Sequence, residues 1–160
     1  MKISIVTVVY QSEGTIGDAL DSVARQGWKD VEHVVIDGAS PDGTLDVIQS
    51  RANPNMVIVS EPDDGIYDAL NKGFRLATGD VVGIVHADDI LADGTVLERV
   101  AAAFSNPDVD AVHGDLDYVA KDDPGRIIRH WRAGHFARAK LRTGWMPPHP
   151  TLFLRRRVFE

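Results

Sequence analysis

Four short runs of apolar, mostly β-branched residues recur along roughly the first half of the chain, and each is followed by a stretch with helical spacing. Lys2–Val9, Val31–Ile36, Met56–Val59 and Val81–Val85 read as strands, because near-continuous Val/Ile runs suit strands buried on both faces. Ile16, Leu20 and Val23, then Leu45, Val47 and Ile48, then Ile66, Leu70, Phe74 and Ala77, and finally Val96–Phe104 mark the intervening amphipathic helices. Asp93 is expected to cap the last of them. This alternation predicts an α/β fold, a mostly parallel sheet with helices on both faces.

The remainder reads as a small mixed-strand extension. Ala111–Val119 and Arg126–Trp131 are expected strands separated by a turn over 121–125, followed by a helical stretch at Phe136–Leu141. A Pro-rich turn at 146–150 precedes a last strand, Thr151–Leu154. With no repeat and no long linker, residues 1–160 read as one domain, an α/β part over 1–105 and a second part over 106–160.

A parallel sheet also predicts where chemistry sits, because ligands bind outside the carboxyl ends of its strands. Here those ends carry Tyr10-Gln11, Asp37-Gly38 with Ser40, Ser60-Glu61, and His86-Ala87-Asp88-Asp89. Two adjacent carboxylates at the end of an apolar strand are costly unless something compensates them. A divalent cation shared with a phosphate-bearing substrate would do so. Neighbours in an extended segment point opposite ways, so Asp88 and Asp89 are expected to have separate duties. Plainer readings stand beside these: a turn cap for Asp88 or Asp89, a turn aspartate at Asp37, and a packed strand-end residue at His86. Asp68 and Lys72 are spaced as an ordinary i,i+4 surface pair, and His149 between prolines is a weaker candidate.

Charge is unevenly distributed. Residues 1–123 hold 8 Lys/Arg against 23 Asp/Glu, whereas residues 124–160 hold 9 Lys/Arg against Glu160 alone. The basic part is expected to neutralise the body or to meet something anionic, such as a membrane surface or another subunit. The acidic body argues against nucleic acid. No G-x-G-x-x-G follows the first strand and no G-x-x-x-x-G-K-[ST] occurs, which argues against dinucleotide and P-loop sites. There is no cysteine, no signal-peptide pattern and no apolar run near the ~20 residues of a membrane helix, so a cytoplasmic location is expected.

Five segments in order, Ile3–Tyr10, Val35–Thr44, Ser60–Gly73, Ala77–Asp80 leading to Ala87-Asp88-Asp89, and Gly144–Thr151, resemble family 2 glycosyltransferases of the GT-A fold. They are similar in particular to bacterial members that build cell-envelope polysaccharides and glycolipids. The resemblance implies a GT-A, Rossmann-like sheet in which residues 1–105 bind a nucleotide sugar and 106–160 begin an acceptor side. It implies that Thr7, Val9 and Asp37 border the nucleotide base, with Tyr10, Ser40 and His86 among the donor-binding residues. Asp68 and Lys72 would shape the donor site, Asp88 would lie by the ribose or sugar, and Asp89 would bind Mg²⁺ or Mn²⁺ on the diphosphate.

The implied reaction is transfer from a UDP-, GDP- or dTDP-sugar to a saccharide or lipid-linked acceptor, with inversion. Its base is expected beyond Glu160, with Asp115 and Asp117 as candidates inside the chain whose plainer reading is a solvent-facing strand. Contact with the inner face of the cell membrane through residues 124–160, and self-association through an exposed last strand, are further expectations. The rivals are a non-catalytic sugar-nucleotide-binding module, a nucleotidyltransferase, and a purely structural α/β domain.

Overall fold

β1 (Ile3–Val9) is buried along its whole length, and the alternation of its side chains divides the core into two layers. The computed structural model describes residues 1–159. β1 lies between β2 (Val31–Asp37) and β4 (Val81–Ile84), with β3 (Met56–Ser60) beyond β2, and all four strands run parallel. Ile3, Ile5 and Val9 face the helices α1 (Ile16–Ala24), α2 (Thr44–Ser50) and α4 (Val96–Ala103). Val6 and Val8 face α3 (Ile66–Leu76), joined by Val34, Ile36 and Val82. Burying each such Val or Ile stabilises the fold by roughly 1.5–3 kcal/mol before chain entropy is counted. A Cβ at Gly73 would stand 2.4 Å from Val6 Cγ1, so α3 lies closer to β1 than any other residue would allow.

The sheet continues past β4. β8 (Phe153–Arg155) pairs antiparallel with β4, and β5 (Ala111–Val112) pairs antiparallel with β8, giving the order β3-β2-β1-β4-β8-β5. Gly83 of β4 makes room for this, because a Cβ there would come within 2.3 Å of the Phe153 ring. β6 (Leu116–Ala120) and β7 (Asp123–Trp131) form a separate antiparallel hairpin. A single helical turn, α5 (Arg138–Leu141), follows, and 3₁₀ turns flank β8 at His149–Thr151 and Arg156–Val158.

The fold class expected from the alternation holds, and several details are corrected. The strand expected over Ala111–Val119 is broken at His113-Gly114-Asp115 into β5 and β6, which belong to different sheets. The turn expected over 121–125 is tighter, since Asp123, Pro124 and Gly125 already belong to β7. The N-cap of α4 is Thr95 rather than Asp93; the Asp93 carboxylate instead accepts hydrogen bonds from the Thr95 amide, the Thr95 hydroxyl and Arg99. The last strand is interior, between β4 and β5, which removes the exposed edge on which self-association was expected.

Candidate functional site

The strand order reverses at β1: β2 and β3 lie to one side of it and β4 to the other. In open α/β sheets ligands bind outside the carboxyl ends of the strands, where the strand order reverses. A cleft of about 400 Å³ occupies this place. Val8, Val9, Tyr10 and Ser12 line it from β1, and His86, Ala87 and Asp88 from β4. Ile66 at the start of α3 and His149 at the 3₁₀ turn before β8 complete it. The rings of His86 and His149 meet edge to face at 5.4 Å.

Local bonding holds the acids in place. The Thr7 hydroxyl donates to the Val85 carbonyl at 2.7 Å, and the Asp89 amide donates to the His86 carbonyl at 3.1 Å, closing a turn that carries Asp88 and Asp89. Asp88 is exposed in the cleft, while Asp89 is half-buried behind it. Burial pushes the Asp89 carboxyl up from its ordinary range, and the Asp88 charge adds to the rise. Burial pushes the His86 imidazole down, against the pull of Asp89. Among the described residues neither acid has a Lys or Arg ion-pair partner.

Two uncompensated neighbouring carboxylates are a donor set that a hard divalent cation would relieve. Among the described residues no three His, Asp or Glu side chains converge as a complete protein cage. Mg²⁺ or Mn²⁺ needs no such cage, because it takes one or two carboxylates and fills its shell with phosphate oxygens and water. Asp88 and Asp89 therefore fit a cation held jointly with a phosphate ligand.

The other expected residues divide by exposure. Val9 and Tyr10 line the cleft. Thr7 is fully buried within the sheet. Its one hydroxyl hydrogen goes to Val85, so the His33 Nε2–H donates to Thr7 at 2.9 Å. Asp37 is also fully buried; it accepts from the Ser40 hydroxyl at 2.5 Å and the Ser60 hydroxyl at 2.6 Å, while the Gln11 amide donates to Ser40 at 2.9 Å. Asp37 thus ties together the loops after β1, β2 and β3. Gln11 (φ 51°) and Ala39 (φ 56°) sit in the left-handed region in two of these loops, a strain that this bonding sustains.

Asp68 and Lys72 form more than a surface pair. Lys72 Nζ reaches Glu61 at 3.0 Å, Asp68 at 3.3 Å and the Pro62 carbonyl at 2.9 Å, pinning the loop between β3 and α3. Asp115 and Asp117 lie away from the cleft lining: Asp115 accepts from the Ala133 amide at 2.8 Å, and Asp117 contacts His130 across the hairpin at 2.6 Å. These partners account for both carboxylates, as the solvent-facing reading has it. The sequence reading passed over Ile66, Ser12 and the part played by Ser60; only Ser60, at a polar strand end, carried a readable signal.

The glycosyl transferase family 2 model matches residues 4–160. A PGL/p-HBAD biosynthesis glycosyltransferase of Mycobacterium bovis is 39% identical over 118 residues, covering 71% of this chain and 46% of the relative. The chain spans about half the length of the curated relatives it matches. Among solved structures, the mannosyltransferase PcManGT from Pyrobaculum calidifontis, in complex with GDP-Man and Mn²⁺, superimposes with a TM-score of 0.67 at 28% identity, over 73% of this chain and 36% of that one. S. aureus TarS 1-349 in complex with UDP-GlcNAc gives 0.64 at 28% identity, over 69% and 33%.

Proposed function

This chain belongs to glycosyl transferase family 2, with a GT-A fold, and on that premise we propose that its cleft binds a nucleoside-diphosphate sugar for transfer to a saccharide or lipid-linked acceptor. The observation that carries the reading is the Asp88–Asp89 pair, uncompensated by any described basic residue, at the switch point of the sheet. The nucleotide-sugar complexes of the two structural neighbours support it. The donor's UDP, GDP or dTDP moiety would lie along Val9 and Tyr10, over the loops that Asp37, Ser40 and Ser60 brace. Lys72 and Asp68 would hold the neighbouring rim.

Asp89, with Asp88 beside it, would hold Mg²⁺ or Mn²⁺, which supplies charge stabilisation to the departing diphosphate. Asp88, which lines the cleft, would meet the ribose or sugar. Transfer with inversion joins the acceptor oxygen to the anomeric carbon on the face opposite the diphosphate. The carbon–oxygen bond to the diphosphate breaks with its electron pair, and a carboxylate takes the acceptor proton. A donor-binding module without turnover is the second reading, favoured by the existing commitments of Asp115 and Asp117.

No helix among the described residues is long and apolar enough to cross a membrane. We propose a cytoplasmic protein that meets the inner face of the cell membrane through the basic residues of 124–160. The test is incubation with UDP-, GDP- and dTDP-sugars and Mn²⁺, with pooled saccharide and lipid acceptors, followed by proton NMR of the anomeric signal. An inverted glycoside, lost in Asp89→Asn, is expected. A retained anomer overturns the inversion; donor binding without product selects the second reading.

A further inference from the structure

The basic segment over residues 124–160 splits in two once folded. Arg155 donates to the carbonyls of Phe104, Asn106 and Val109, and Arg157 to Asp110 and the Pro107 carbonyl, so these arginines serve the fold itself. Most of residues 126–146 face the solvent instead, with Ala133 buried, Arg126 and Arg132 paired to Asp122 and Asp115, and His130 in contact with Asp117. β7 is exposed along its entire length, and Arg138 and Arg142 pair with no acid among the described residues. Arg129 lies over the Tyr118 ring at 5.6 Å and has no acidic partner either.

Interleaved with these cations are apolar side chains that the fold leaves uncovered. Ile128 is 66% exposed, Phe136 61% and Met146 72%. Trp145 ties the segment after β7 to α5, since its Nε1–H donates to the Ala133 carbonyl and Lys140 of α5 lies over its ring at 5.8 Å.

We propose that the β6–β7 hairpin and the α5 segment dock on an anionic lipid bilayer. Guanidinium groups recognise headgroup phosphates, and Ile, Phe, Trp and Met among them suit the boundary between headgroups and acyl chains. The exposed Ile128, Phe136 and Met146 favour a surface with an apolar interior over a polynucleotide, whose exposed backbone offers phosphates alone. Met146 lies three residues from His149 at the cleft wall, so docking brings the cleft within about 10 Å of the surface by chain length alone. The inference deepens the membrane-face placement proposed above and rests on it, but not on the donor reading.

Flotation of the whole chain with phosphatidylcholine vesicles, with and without phosphatidylglycerol, is the test. Binding is expected only to the anionic vesicles, and it should fall steeply with salt. Replacing Arg129, Arg138 and Arg142 together by Ser should weaken partitioning about 100-fold, from about fivefold per lost charge. Phe136→Ser with Met146→Ser should weaken it about tenfold. No binding to anionic vesicles overturns the proposal, as does salt-insensitive binding by the unaltered chain or equal binding by the triple variant. A concentration-dependent dimer without vesicle binding reassigns the surface to a second copy. Nucleotide-induced stabilisation, measured in parallel, should survive the triple variant; its absence from the unaltered chain would count against the donor reading and leave vesicle binding untouched.

Discussion

The two ends of the same sheet treat buried carboxylates in opposite ways. At the amino end, Glu32 of β2 is almost enclosed and every oxygen is satisfied. Lys2 Nζ and the Thr78 hydroxyl meet one oxygen at 2.7 and 2.6 Å; the Ser4 hydroxyl and the Thr78 amide meet the other at 2.5 and 2.7 Å. Burial alone would raise its pKa, but these bonds outweigh it and hold the carboxyl near 2. At the carboxyl end, Asp89 is half-buried with its neighbour Asp88 unpaired, and its pKa is pushed up. A carboxylate whose partners come from the fold stabilises the fold. One whose partners are missing marks where a ligand supplies them.

The contrast is tested most sharply by deleting charge at each end. Asp89→Asn should weaken metal-dependent nucleotide binding by 100-fold or more, in the range of about 3 kcal/mol for a lost charged contact, as read by calorimetric titration. The same change should leave the apo protein as stable as before, or slightly more so, because it removes a repulsion. Glu32→Ala should do the reverse, costing on the order of 3 kcal/mol in urea unfolding by leaving the Ser4 hydroxyl and the Thr78 amide and hydroxyl without their acceptor and Lys2 without its partner. Equal loss of stability in the two variants would erase the distinction.

Acid should probe the amino end next. His33 is buried and held near pKa 4 by desolvation, so the folded protein keeps it neutral while the unfolded chain protonates around 6.5. Stability should therefore fall as pH drops from about 6.5 toward 4, by on the order of 3 kcal/mol, and His33→Gln should flatten that slope. The Glu32 contribution is present above about pH 4.5 and is lost as pH falls toward 2, a further loss of roughly 2 kcal/mol. Gly83→Ala should cost about 1–3 kcal/mol by driving a methyl into Phe153. Asp117→Asn, on the exposed hairpin, should change stability by under about 0.5 kcal/mol.

The parallel core was legible because Val and Ile runs report burial on both faces, and the strand ends followed from it. Asp88 and Asp89 were legible for the same reason, as acids immediately after such a run. The amino-end network was not, because Lys2, Ser4, Glu32 and Thr78 are far apart in sequence and carry no local pattern; only the β1–β2 register, which pairs Ser4 with Glu32, brings them together. The bond between Thr7 and His33 was not legible either, because it too depends on the β1–β2 register rather than on a local pattern. The break between β5 and β6 was hidden by a run of strand-like residues through His113-Gly114-Asp115, where the chain changes sheets.

The central claim, that the carboxyl-end acids await a metal and a diphosphate, is tested most directly by the melting temperature of this chain with UDP, GDP and dTDP, each with and without Mn²⁺. The account predicts a rise with at least one nucleotide only when the metal is present, about 2.7 kcal/mol of added stability at a hundredfold excess over Kd, and no rise in Asp89→Asn. No stabilisation by any of the three with Mn²⁺, or an equal rise in the variant, would contradict it.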